Sequence, residues 1–175
     1  FRRYDNGVRK LVVGLWFLAS LAVSLRAEDW PQFRGPTGQG HSSERGLPLA
    51  WSESPTGSTN IAWKVPVAGS GWSSPAVGGG RVWLTTAVTE KAAGRSAVSL
   101  RVIAFDVESG KSVVDVEVFR LARPRPMHAK NSYASPTPVI EGERVYVHFG
   151  KLGTAAVTTA GEILWKRQFE YAYAH

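Results

Sequence analysis

The sequence contains no cysteine and a single methionine among its 175 residues. The missing cysteine excludes disulfides, thiolate metal sites and a thioether-linked lipid on this chain, so packing alone must hold the fold. No uncharged run reaches the ~20 residues that cross a bilayer core; the apolar one, LVVGLWFLASLAVSL at 11–25, stops at fifteen. From Glu28 onward no apolar period of 3.6 residues is visible, which argues against an α-helical body. Catalytic signatures are scarce as well. No Asp-x-Asp-x-Asp-Gly loop offers calcium ligands, and no His spacing makes a zinc site. GSGWSS at 69–74 lacks the Gly-x-Ser-x-Gly order of a hydrolase elbow. AVGGGR at 76–81 reads as a hairpin turn, because neither Lys-Ser/Thr nor a helix pattern follows it.

What is present is a globular composition, 43% apolar and 11% aromatic. The formal charge of +7 invites a nucleic-acid reading, but the excess is unevenly placed. Residues 1–27 hold five basic residues against one acid, and residues 28–175 hold sixteen against thirteen. More than half of the surplus thus sits in the first segment, and the basic knot RLARPRP (Arg120, Arg123, Arg125) is interrupted by prolines. No nucleic-acid partner is expected. Arg2, Arg3, Arg9 and Lys10 precede the apolar run and Ala27 follows it, which is the order of a secretory signal peptide over residues 1–27. The alternative is an uncleaved anchor formed by residues 11–25. Either way the mature part is expected outside the cytoplasm, periplasmic or extracellular, with no membrane span of its own. The first residue, Phe1, is not methionine, so the start reads as processed or missing.

Residues 28–60 are rich in Gly, Pro, Ser and Thr, yet carry Trp30, Phe33 and Trp51. Large apolar anchors in such a setting predict an ordered extension lying across a larger surface. Strand candidates then follow in quick succession: NIAWKVPV, SPAVGGGRVWLTTA, SLRVIAFDVESGKSVVDVEVF, TPVIEGERVYVHFG and GTAAVTTAGEILWKRQF. Each is rich in β-branched and aromatic residues and is broken by glycine.

These segments repeat. Arg81-Val82-Trp83 falls on Arg144-Val145-Tyr146 at an offset of 63, which also places Pro75 on Pro138 and Val77 on Ile140. Gly110 falls on Gly161 and Val114 on Trp165 at an offset of 51. The difference is a stretch of twelve residues, VTEKAAGRSAVS at 88–99, inside the first unit only. Trp63-Lys64 matches Trp165-Lys166, so Trp63, Val114 and Trp165 read as last-strand positions of successive units. Four short antiparallel strands at this spacing predict β-propeller blades, which stack face to face in a ring of ~4–8. The expected architecture is all-β: blades at about 61–119 and 131–170, preceded by one last strand. Two blades alone would leave apolar faces bare, so the chain reads as the amino-terminal part of a longer ring.

The same residues resemble the PQQ-like (pyrroloquinoline quinone type) propeller repeats. Those blades carry a Gly-x-Val-Tyr-Val strand, an Ala-Leu-Asp strand and a Thr-Gly-Lys-x-x-Trp ending. Here they appear as Gly80 to Trp83, Ala104-Phe105-Asp106 and Ser109-Gly110-Lys111, with Val114 where Trp is usual. In the second unit they appear as Gly142 to Val147, Ala156-Val157-Thr158 and Gly161 to Trp165. DWPQFRGPTGQG and HAKNSYASPTPV also resemble a secreted bacterial subgroup, planctomycete-like, that is itself likened to the outer-membrane assembly propeller. The resemblance covers about residues 28–170.

It implies an exported, non-catalytic propeller that binds or scaffolds a protein or glycan partner, without catalytic residue, cofactor or metal. The alternative it implies is the first part of a quinoprotein-like oxidoreductase, with PQQ and calcium held largely by other blades. A further domain after the propeller is a third possibility. Within the chain, the polar cluster His128, Lys130, Asn131 and Ser132, with Tyr133 beside it, is the candidate ligand site. It follows a proline-rich loop and leads into a strand, where propeller ligands meet, and could face an anionic or sugar-like group. The competing reading has Asn131 and Ser132 bonding the loop backbone while His128 and Lys130 face water.

Overall fold

The computed structural model describes residues 27–54, 56–92, 95–124, 127–128 and 130–168. The apolar run at 11–25 and the basic residues before it lie outside this range, as does Arg125. The described residues are all-β. A short hairpin pairs β1 (Ser52–Ser54) with β2 (Gly57–Thr59). A first four-stranded antiparallel sheet follows in strict chain order: β3 (Ala76–Gly78), β4 (Arg81–Ala92), β5 (Arg95–Asp106) and β6 (Ser112–Leu121). A second has the same order: β7 (Val139–Glu141), β8 (Arg144–His148), β9 (Thr154–Thr158) and β10 (Ile163–Arg167). One 3₁₀ turn, Gly150–Leu152, joins β8 to β9.

Cross-strand rows show why the two sheets stack. In the first, Ala76 pairs with Trp83, Trp83 with Ala104 and Ala104 with Val114. These four residues project on one face and are 0%, 0%, 0% and 5% exposed. The second sheet presents Val145, Val147, Ala155 and Val157 to them, all buried, and the two sets form one continuous core. Hydrogen bonds tie the lead-in segments of the sheets together. Trp72 N–H donates to the Ala134 carbonyl (2.9 Å), Ser74 N–H to Thr137 Oγ1 (3.2 Å) and Thr85 Oγ1–H to the Pro136 carbonyl (3.1 Å). The Arg81 guanidinium donates to the Thr159 carbonyl across the same junction.

Of the three aromatic residues in the extension, Trp30 is half-buried while Phe33 and Trp51 are 59% and 72% exposed. Trp30 exchanges both backbone hydrogen bonds with Val77 (2.8 Å each), and Ile140 N–H donates to the Pro31 carbonyl (2.8 Å). Residues 30–31 thereby cover backbone edges of β3 and β7, the outermost strands on one side, which would otherwise offer unpaired edge groups. The twelve-residue insertion lengthens the β4–β5 hairpin: both its strands span twelve residues, whereas β8 and β9 span five each.

One expectation fails. Residues 61–67 form no strand, although NIAWKVPV has strand composition. A strand needs a partner for its backbone groups, and no described strand pairs with residues 61–67. Trp63 nevertheless occupies a defined place: its indole N–H donates to the Val107 carbonyl (2.8 Å) and its ring lies 6.5 Å from Phe105. The second sheet holds four strands, as the first does.

The β5–β6 turn carries a titratable group. Ser109 donates to Asp106 Oδ1 through both its hydroxyl (2.6 Å) and its backbone N–H (2.8 Å). These bonds favour the carboxylate and hold Asp106 below its ordinary value of 3.8. A carboxyl depressed in the folded state stabilises fully above its unfolded pKa, and that contribution fades as pH falls through the folded value. Melting temperature is therefore expected to drop on acidification below about pH 4, and less steeply in Asp106→Asn. Equal slopes in wild type and variant between pH 7 and pH 3 would contradict the assignment.

Candidate functional site

The loop from β6 to β7 and the turn from β8 to β9 meet at the end of the sheets where the β4–β5 hairpin also turns. Between them lies a cavity of about 520 Å³. The loop side contributes Arg123, Met127, Asn131, Ser132, Tyr133, Ser135 and Pro136. The opposite side is Phe149, Gly150, Lys151 and Leu152, with Leu121 from the end of β6. The walls are thus largely apolar, and the charged lining residues are two cations without an acid.

The loop is shaped by its own short polar side chains, as such residues do in turns. Asn131 N–H donates to the His128 carbonyl (2.9 Å), and Asn131 Oδ1 accepts from Ser132 N–H (2.9 Å) and Ser135 Oγ–H (2.7 Å). Ser132 Oγ in turn accepts from Ala134 N–H (3.1 Å). Ala134, fully buried, packs into the junction of the two sheets. The β8–β9 side is fixed differently. Phe149 N–H bonds the Gly153 carbonyl (2.8 Å), and the Phe149 ring stands edge-on to Phe119 at 6.0 Å. Phe149 is 3% exposed, so the wall it forms is anchored in the core.

The four residues singled out in the sequence therefore divide. Asn131 and Ser132 line the cavity, and both also bond the loop backbone. His128 and Lys130 do not line it; they are exposed, and His128 Nδ1 accepts from Lys130 N–H (3.1 Å). Arg123, Phe149, Lys151 and Leu152 escaped the sequence reading. The string HFGKLG holds the last three, but its only local signal is a glycine-bounded turn. Its place opposite Asn131 comes from tertiary pairing.

The repeat positions have packing roles. Gly110 (φ +68°) lies against the ring of Trp63, and Gly161 (φ +93°) lies against Val114 and Val116. Trp63 to Gly110 and Val114 to Gly161 are each 47 residues apart. Trp165 lies in β10, paired with Ala156, and is 37% exposed.

Four acidic side chains elsewhere form ion pairs. Asp115 pairs with Arg101 (2.6 Å), Glu117 with Arg120 (2.9 Å), Glu90 also with Arg120, and Glu53 with Lys64 (2.8 Å). Among the described residues no three His, Asp or Glu side chains converge as a metal site. His148, half-buried, shares a 2.8 Å hydrogen bond with Thr154 Oγ1 within the second sheet. No helix among the described residues is long and apolar enough to cross a membrane. No protein-family model matches the chain, and no curated protein matches it.

Proposed function

We propose that the chain is part of an exported PQQ-like β-propeller that acts as a binding or scaffolding module, with the 122–136 loop cavity as its recognition site. The observation that carries the binding role is that cavity, lined by the β6–β7 loop and the β8–β9 turn, with Arg123 and Lys151 as its charged residues. Apolar pockets with a few placed polar groups are the usual form of a binding site.

The propeller reading is supported by the recurrence of one packing relation. A side chain from the last part of one unit covers the turn glycine of the next, Trp63 on Gly110 and then Val114 on Gly161. The second sheet repeats the docking row of the first. Val139, Tyr146, Ala156 and Trp165 pair across its four strands as Ala76, Trp83, Ala104 and Val114 do. In the first sheet that row is covered by the second; in the second sheet Val139 is 39% and Trp165 37% exposed. A further sheet of the same kind would fit there, with its turn glycine under Trp165. Export rests on the order of residues 1–27.

The oxidoreductase alternative needs oxygen ligands converging on a calcium ion next to the quinone. Four acids of this chain are already engaged, Asp106 by Ser109 and Asp115, Glu117 and Glu90 by arginines, and the described acids do not converge. The binding reading is therefore preferred.

Leu152→Trp, which fills the cavity from its wall, provides the test. Peptide and oligosaccharide arrays probed with the full chain should yield ligands whose affinity falls at least about tenfold in the variant. Melting temperatures should stay within about 4 °C, since the change adds volume to open space. Ligands captured equally by both proteins would place recognition elsewhere.

A further inference from the structure

The geometry points to the ligand class of this cavity: a peptide segment in which an apolar side chain stands beside a carboxylate. The inference rests on the binding role proposed above and names the chemistry of what is bound.

Shape supplies the first half of the argument. Leu121, Phe149 and Leu152 make an apolar floor, and Phe149 is fixed in the core, so the floor is preformed. Burying one Leu- or Phe-sized side chain against such a surface is favourable because it removes apolar area from water. Charge supplies the second half. Arg123 and Lys151 line the cavity while no acid does. Arg123 is exposed and forms no hydrogen bond or ion pair among the described residues. Arg123 also borders a second cavity with Glu90 and Arg120, and there Arg120 pairs with both Glu90 and Glu117. A planar guanidinium at the edge of an apolar pocket suits a carboxylate, which it can bind through two parallel N–H donors.

Polar bookkeeping then favours a peptide over a sugar. The Asn131 carbonyl and the Ser132 and Ser135 hydroxyls, which a glycan's many hydroxyl groups would need, are already bonded within the loop. An apolar side chain asks nothing of them. Its neighbouring carboxylate reaches the rim instead.

Fluorescence anisotropy of the full chain against fluorescein-labelled pentapeptides tests this. The series Gly-Ser-Glu-X-Gly amide, with X as Leu, Phe or Met, is compared with Gln in place of Glu and with Ser in place of X. Binding by the Glu-X peptides at least about fivefold tighter than by either control is expected, weakening with added salt. Arg123→Glu should abolish the preference for Glu over Gln, and Arg123→Lys should retain part of it.

Equal affinity for the Glu and Gln peptides, or an unchanged preference in Arg123→Glu, overturns the carboxylate assignment and leaves the binding role standing. Oligosaccharide binding that Leu152→Trp removes, without peptide binding, overturns the peptide class and again leaves that role. Ligand capture that Leu152→Trp leaves unchanged overturns both.

Discussion

Trp83→Ala is expected to destabilise the protein by about 3–5 kcal/mol. Trp83 is fully buried in the middle of the row that joins the two sheets, between Ala76 and Ala104. Its neighbours in that row are alanines, so no adjacent side chain can swing into the space. The removed ring leaves a cavity between two sheets whose separation is set by many other contacts, and only partial collapse can relieve it. Native domains have about 5–15 kcal/mol in total, so the loss is a large share. For a chain of this size the melting temperature should fall by roughly 6–20 °C.

The phenylalanine variant separates volume from polarity. Trp83 Nε1 is buried and has no hydrogen-bond partner among the described residues, and an unsatisfied buried donor costs about 1–3 kcal/mol. Trp83→Phe gives up part of the ring but also removes that donor, so its net cost should be about 1–2 kcal/mol. Denaturant unfolding of the three proteins at pH 7 gives the comparison. A Phe variant as unstable as the Ala variant would mean that the indole N–H is satisfied after all.

Gly110→Ala is expected to cost about 2–5 kcal/mol, through two separable causes. Gly110 has φ +68°, where an L side chain is strained, and an added Cβ would lie 2.6 Å from Trp63 Cδ2. Gly142 isolates the first cause: at φ +56° it has nothing within 4 Å of an added Cβ, so Gly142→Ala should cost only the conformational ~1–2 kcal/mol. A double-mutant cycle isolates the second. In a Trp63→Ala background the cost of Gly110→Ala should shrink to the Gly142→Ala value. If it does not, Trp63 is not what presses on this turn, and the relation repeated by Val114 and Gly161 loses its energetic meaning.

Much of the fold was legible because β-structure of this kind is written locally. Arg81-Val82-Trp83 and Arg144-Val145-Tyr146 carry period-2 patterns beside glycine turns, and each lies on the second strand of its sheet. The twelve extra residues at 88–99 showed as a break in the offset and appear as a longer hairpin. Residues 61–67 misled because β composition describes a side-chain surface, while strand formation needs a backbone partner. The site was half legible. Asn131 and Ser132 stood out as short polar residues in a loop, which is what places them. His128 and Lys130 stood out by charge, and neither lines the cavity. Nothing in FGKLG announces that Phe149, Lys151 and Leu152 lie opposite that loop.

The sequence by itself determined the elements that neighbouring residues decide: short alternating strands, the glycines that close their turns, and the recurrence of one unit at offsets of 63 and 51. Only the tertiary structure decided what those units meet. The stacking of the sheets, the burial of Trp83, the seat of Trp63 on Gly110 and the joining of two distant loops around one cavity depend on contacts between residues far apart in the chain. Such contacts leave no periodic trace in either partner, because each depends on the relative placement of two sheets.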